Sequence, residues 1–284
     1  MKLVKSKMVK LLLSSAFAVA LAATVAGCGS SDKPEAESEE SADGTVTLTC
    51  LADATPHAEI LRCIEDDLAA EGIKLDIVSE EWDATWNEQV ENGDVDFHYD
   101  AYVPYLDEWN ASNNGHLVGL GSIHLEPLVM CSETLSSLDE LPDGATIAIK
   151  EDVTNQYRCL KLLEQAGLIT LKSDISLSNA DTSYIESNPK NLEIVAMDAD
   201  VILNTRQDFD AYITNTNRLL EAGLDPTDYL VREDSTESQF ANVICVNEAN
   251  ANNPAILKMV ELLETDKVRD FINDTYDGAV IPAF

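Results

Sequence analysis

Basic residues are scarce in this chain, and that scarcity excludes more than any other feature. Eighteen Lys and Arg face 52 Asp and Glu over 284 residues, a formal net charge of −34. No basic stripe is left to meet phosphates, so a nucleic-acid partner is not expected. An acidic body also stays soluble and off anionic membrane surfaces. Cysteines number six and none form C-x-x-C, which removes support for a zinc site or thioredoxin-like chemistry. Cys50, Cys63, Cys131, Cys159 and Cys245 mostly sit in apolar runs and read as small buried hydrophobes. There is no G-x-S-x-G, H-E-x-x-H or phosphate loop, and His57, His98, His116 and His124 have no obvious nucleophile beside them. The chain is therefore not expected to be an enzyme, and no cofactor or metal is assigned to it.

What is present begins with an address. Lys2, Lys5, Lys7 and Lys10 form a basic leader, and residues 11–23 are apolar apart from Ser14 and Ser15. That run falls short of the ~20 residues of a membrane span and ends in small residues, as a cleaved signal does. Val25-Ala26-Gly27-Cys28 resembles the lipobox of bacterial lipoproteins, with valine where leucine is commoner. The resemblance implies a leader over 1–27, a diacylglyceryl group on Cys28, and a place on the extracytoplasmic face of the cell membrane. Each buried CH₂ contributes about 0.8 kcal/mol, so two acyl chains suffice as an anchor. Residues 29–44 carry no aliphatic side chain larger than alanine. They cannot bury enough surface to offset ordering entropy, so 28–44 reads as a lipidated cysteine and acidic tether reaching roughly 20–25 Å.

The body alternates strand and helix patterns. Strands are expected at 45–52, 73–78 and 95–99, with an amphipathic helix over 56–70 carrying Ile60, Leu61, Ile64 and Leu68 at helical spacing. A short helix is expected at 86–90, and Pro104 fits the first turn of another. Strands follow at 116–121, 123–131, 146–150, 194–197, 211–214 and 243–246. A capped helix runs from Asp152 or Thr154 to Ala166 and ends at Gly167, and two more cover 254–263 and 266–276. Repeated β-α-β units imply parallel sheets. Irregular strands around 127–131 and 241–246 suggest two α/β lobes joined by two crossing segments. The expected division is 45–128 for the first lobe, 129–240 for the second, and 241–284 returning to the first.

Several motifs in this body resemble the MetQ/NlpA family of lipoproteins, which serve methionine-type importers. Pro56-His57-Ala58-Glu59-Ile60-Leu61 is similar to the family's P-H-A-E-I-L. Gly93-Asp94-Val95-Asp96 and Val103-Pro104-Tyr105-Leu106 resemble the ends of its G-[DE]-[IL]-D-A-N-x-F-Q-H-x-P-Y-L. Asp152-Val153-Thr154-Asn155-Gln156-Tyr157-Arg158 resembles D-x-T-N-x-x-R, and Asn215-Thr216-Asn217 matches N-x-N. The resemblance implies a type II periplasmic-binding-protein fold whose lobes close on a free amino acid or short peptide. It also implies a monomer that delivers its ligand to an ABC permease and its ATPase.

By that resemblance Arg158 takes the ligand's α-carboxylate, through a guanidinium fork suited to two parallel hydrogen bonds, with Asn155 nearby. Asn215, Asn217 and Asn242 are candidates for the α-ammonium and carboxylate, since an amide both donates and accepts. The side-chain pocket departs from the family. In an ungapped register its phenylalanine falls on Asp100 and its histidine on Tyr102, while Glu80 and Asp83 stand where two aromatics would be. Carboxylates beside a thioether carry an unmatched desolvation cost. The expected ligand therefore has a polar or cationic side chain read by Asp100, Asp83 or Glu80 with Tyr102 and His98, and a one-residue slip would add Trp82. Methionine is the alternative, with Trp82, Trp86, Phe97, Tyr99 and Tyr102 as an apolar wall. A further alternative is a metal-binding lipoprotein, because Asp94, Asp96, His98 and Asp100 alternate and would share one face of a strand.

Overall fold

The computed structural model describes residues 44–80, 82–83, 85–234 and 238–284. The expected leader, Cys28 and all of the tether except Gly44 lie outside them. The β-branched and aliphatic runs form β1 (Val46–Ala52), β2 (Ile73–Ser79), β3 (Phe97–Tyr102), β4 (Leu117–Leu125), β5 (Leu128–Cys131) and β6 (Thr146–Lys150). Next come β7 (Thr170–Leu171), β8 (Ile185–Ser187), β9 (Glu193–Met197), β10 (Ala211–Asn215), β11 (Val231–Arg232), β12 (Asn242–Asn247) and β13 (Ile281–Pro282). They assemble as one sheet in the order β13-β4-β12-β3-β1-β2 and another in the order β11-β5-β10-β6-β9, with β7 and β8 as a separate pair. Each large sheet has its own buried core. Leu48, Phe97, Ile244 and Ile256 pack in the first, and Ile147, Ile149, Leu160, Leu163 and Ile213 in the second. The molecule is thus a bilobed α/β protein.

The chain passes between the lobes at Glu126-Pro127, and again between Arg232 and Asn242. Proline cannot donate to a ladder, and the single strand expected over 123–131 is divided there. Leu128 already belongs to the second sheet, one residue ahead of the expected division. The sheets are mixed rather than parallel throughout. β1 runs parallel to β2 and β3, and β6 parallel to β9 and β10. The strands entered from a crossing differ: β12 is antiparallel to β3 and β4, and β5 to β10. Each arrives from the neighbouring lobe instead of through a helix on its own sheet, so the parallel βα geometry does not constrain it.

Two local expectations change. β3 starts later than expected and continues to Tyr102, because Ala101 and Tyr102 pair with Val243 and Asn242. The strand then runs directly into the Val103–Asn113 helix, with Pro104 in its first turn. The helix expected over 56–70 is broken at Ile64, which leaves helical dihedrals at φ −107° while its side chain stays buried. Elsewhere local chemistry holds. Asp152 caps the Val153–Gln165 helix by accepting the Asn155 N–H at 3.0 Å. Gly167 ends it at φ +72°, where a side chain would be strained. All five described cysteines are free thiols, and all but Cys63 are buried. Among the described residues no helix is long and apolar enough to cross a membrane.

Phe97 is fully buried at the start of β3. Phe97→Ala is expected to cost about 3–5 kcal/mol in urea unfolding, whereas Leu257→Ala, on an exposed helix face, should change stability by less than about 0.5 kcal/mol. Equal effects would contradict this packing.

Candidate functional site

Strand ends carry the site. In open α/β sheets, side chains beyond the carboxyl ends of strands face the crevice where ligands bind. Here Asp100, Ala101 and Tyr102 close β3, Lys150 closes β6, Asn215 closes β10, and Asp198 to Asp200 follow β9. Together with Trp82, Tyr105, Glu126, Glu151, Asp152, Asn155, Arg158, Asn217, Arg218 and Asn242 they line one cavity of about 280 Å³. Both lobes contribute. Tyr102 of the first donates its hydroxyl to Asn155 Oδ1 of the second at 3.0 Å and lies 3.2 Å from Thr154 Oγ1.

Of the residues expected to touch ligand, Arg158, Asn155, Asn215, Asn217, Asn242, Tyr102, Asp100 and Trp82 line this cavity. Asp83 and His98 do not. Asp83 is exposed, and its Oδ1 accepts the N–H of Thr85, the first residue of the Thr85–Asn92 helix, at 2.7 Å. His98 is fully buried, with Nε2 at 2.9 Å from Asn87 Oδ1 and the Trp86 ring beside it. Glu80 lines a different depression, with Asn204 and Glu221. Trp86, Phe97 and Tyr99, the larger part of the expected apolar wall, are buried in the first lobe.

The four-residue metal set is dispersed too. Asp94 and Asp96 precede β3, Asp96 accepts the Thr49 N–H at 2.7 Å, and Asp100 faces His57. Donors gather elsewhere. His57, His124 and Glu126 form one group, and Asp53, His57 and Asp100 another, each with ligand atoms within 4.8 Å of one another. Imidazole and carboxylate suit a borderline divalent cation. The Arg218 guanidinium acts on Asp53 and Asp100, however, and already supplies positive charge there.

Arg158 is held on several sides. Its Nε donates to Glu233 Oε1 at 3.0 Å, and its Nη2 donates to Glu233 Oε2 at 2.6 Å and to the Glu126 carbonyl at 3.2 Å. Its guanidinium carbon lies 4.6 Å from the Phe240 ring centre and 5.3 Å from that of Tyr102, a cation–π sandwich. Glu126 belongs to the first crossing, while Glu233 and Phe240 belong to the second. Arg158 therefore ties both crossings together, and two of the nitrogens expected to fork a ligand carboxylate are already committed.

The sequence reading missed Lys150, Arg218 and Glu126. Lys150 had a signal: it is a single charge closing an apolar strand immediately before a helix cap. Its Nζ donates to Asn215 Oδ1, and burial lowers its pKa. Arg218 pairs with Glu221 at 3.4 Å and Asp200 at 3.6 Å. Beneath them, His57 Nε2 lies 3.2 Å from Asp100 and 3.3 Å from Glu126, and His124 Nε2 lies 2.9 Å from Glu126. Burial pushes Asp100 well above the usual carboxylate range and His57 down to about 3. The floor of the cavity thus holds the neutral His57 imidazole beside the Asp100 carboxyl group, which retains a proton easily.

The NlpA lipoprotein family model matches residues 49–284. The methionine-binding lipoprotein MetQ of Bacillus subtilis is 35% identical over 279 residues, covering 96% of this chain and 98% of that protein. A Burkholderia cenocepacia nutrient-binding protein, solved bound to methionine, superposes with a TM-score of 0.79 at 29% identity, covering 84% of this chain and 100% of that one. A periplasmic substrate-binding protein of an ABC transporter from Coxiella burnetii gives 0.77 at 31% identity, covering 83% and 99%.

Burial lowers the His98 pKa from 6.5 to about 3. The unfolded chain takes up this proton near the ordinary value and the folded chain does not, so acid favours unfolding. The stability concerned is complete above pH 6.5 and is lost as pH falls toward 3. The urea midpoint should therefore fall between pH 7 and pH 5, and fall less in His98→Asn. Equal falls in both proteins would contradict a neutral buried His98.

Proposed function

The chain belongs to the NlpA lipoprotein family, and on that premise we propose that it is an extracytoplasmic solute-binding protein, not an enzyme. It captures a free amino acid or short peptide in the cleft between its lobes and presents it to an ABC permease driven by an ATPase. The observation that carries this reading is the cleft itself: a cavity of about 280 Å³ at the strand ends of both lobes, walled by charges of both signs and by four asparagines. That lining complements a zwitterion. The named relatives bind methionine or belong to an ABC transporter, which supports the same class. A lipid on Cys28 would hold the protein at the membrane as a monomer. Ligand favours the closed arrangement only by the extra contacts made there.

The ligand's side chain is polar or cationic in this reading. Asp100, Glu126, Glu151, Asp152, Asp198 and Asp200 outnumber Lys150, Arg158 and Arg218 around the cavity, and Arg158 is neutralised by Glu233. A thioether would desolvate these carboxylates without a compensating partner. The alternative ligand, methionine, has support in the aromatic corner where Trp82 packs edge-on to Tyr105 at 6.0 Å and Tyr105 lies 6.1 Å from Tyr102.

A thermal-shift panel separates the two. A ligand at a hundredfold its Kd adds about 2.7 kcal/mol, a rise of about 5–10 °C for a body this size. Lysine, arginine or histidine should give that rise and methionine little. Strong stabilisation by methionine, with the three cationic amino acids inert, would overturn the polar reading.

A further inference from the structure

We infer that His57, His124 and Glu126 form a site for one divalent cation of the zinc class beneath the cleft. Such a site is independent of the amino-acid reading. Its three residues come from separate segments. His57 lies in the turn Ala54–Ala58 after β1, His124 near the end of β4, and Glu126 in the first crossing. All three are buried, and each offers one ligand atom within 4.8 Å of the other two.

The spacing suits a metal. Zinc bonds of about 2.0–2.2 Å at tetrahedral angles put neighbouring ligand atoms roughly 3.3–3.6 Å apart. Glu126 Oε1 lies 3.3 Å from His57 Nε2 and 2.9 Å from His124 Nε2. Asp100, which lines the cleft, places Oδ1 3.2 Å from the same His57 nitrogen and is on hand for a fourth bond. His57 is fully buried, yet neither of its ring nitrogens completes a hydrogen bond. The Asn242 amide acts on the ring, and Nε2 lies close to two carboxylate oxygens without aligning on either. A lone pair and two carboxylate oxygens converging on one point are what a shared cation requires.

A ligating imidazole also needs an orienting partner on its other nitrogen. The Tyr99 hydroxyl is hydrogen-bonded to His124 Nδ1. A hydroxyl both donates and accepts, so the ring proton can sit on Nδ1 and leave Nε2 to the metal. Charge points the same way. Five carboxyl groups, Asp53, Asp100, Glu126, Asp200 and Glu221, surround two cations, Arg218 and Lys150. Three carboxyl groups are left in excess, and both oxygens of the buried Asp53 lack hydrogen-bond partners. Arg218 serves the Asp53 and Asp100 side, which leaves the His124 and Glu126 side to the ion. Two imidazoles with carboxylate select a borderline metal over calcium, which takes oxygen ligands.

Calorimetric titration of the chelator-stripped, dialysed protein with zinc chloride and with calcium chloride, and no amino acid present, tests this. One Zn²⁺ should bind per chain, and Ca²⁺ should not bind at this site. His124→Gln should weaken zinc by about 100-fold or more, and Tyr99→Phe by about 10–100-fold. His116→Gln, on the exposed surface beside Glu91, should leave the affinity unchanged. X-ray absorption at the zinc edge of the wild-type protein should show two imidazole ligands. Circular dichroism of the metal-free variants establishes that they are folded; should His124→Gln fail to fold, Tyr99→Phe and the edge spectrum decide. Absence of stoichiometric zinc, an edge spectrum without two imidazoles, or full affinity in folded His124→Gln or Tyr99→Phe overturns the inference. Each of these results leaves the amino-acid reading standing, because that reading is tested without metal.

Discussion

The bidentate pairing of Arg158 with Glu233 is the interaction on which the arrangement of the lobes depends. Arg158 projects from a helix of the second lobe, and it grips the carbonyl of Glu126 in one crossing and the carboxylate of Glu233 in the other. The other oxygen-sharing contacts reinforce it. Glu233 Oε2 also accepts the Leu128 N–H at 3.0 Å, and the Glu126 carbonyl accepts from Asn215 at 3.3 Å. Each contact joins a crossing segment to the second lobe, so the chain's two passages are tied to the same body. A hinge needs such a fixed side. Removing one partner of a buried pair leaves the other charge uncompensated, which is far more costly than the pair itself is stabilising.

Fixing Arg158 at the hinge redistributes the chemistry of the cleft. A guanidinium held between a carboxylate and two aromatic rings shapes the wall, and its charge is spent locally. The remaining positive charge comes from Lys150 and Arg218, and the negative charge from strand ends and the loops after them. Beneath the cavity His57 is kept neutral by burial while Asp100 tends to keep its proton. The floor is polar yet carries less charge than its composition suggests. Tyr102 reaches from β3 to Asn155 across the gap, so a residue lining the site also reports whether the lobes have met.

Much of this was legible in the sequence, for local reasons. The Pro254–Leu263 and Asp266–Tyr276 helices fall where expected, since Asn253 caps the first and Pro254 opens it. β6 and the Asp152 cap were readable from five residues and their neighbours. The misjudged elements depend on distant partners. β3 extends to Tyr102 because β12, far along the chain, supplies its ladder. Helical spacing places the Ile64 side chain in the core, where it lies, but does not reveal that the backbone leaves helical dihedrals there. Of the candidate residues, the asparagines were picked out by motif resemblance and Asp100 by its departure from the family pattern; Asp100 and Asn215 also stand toward the carboxyl ends of their strands. Arg158 was located in the cavity, but its partner Glu233 is 75 residues away, and no spacing rule connects them. His98 shares a strand with Asp100 and Tyr102, yet lies back from the strand's carboxyl end against Asn87 and Trp86.

The central claim is that a charged cleft between two clamped lobes holds a free amino acid with a polar or cationic side chain. It is tested most directly by native mass spectrometry of freshly purified protein, followed by denaturation and identification of the compound released. The account predicts one bound molecule per chain, a free α-amino acid with a polar or cationic side chain. Release of methionine, or of a compound with no carboxylate, would contradict it.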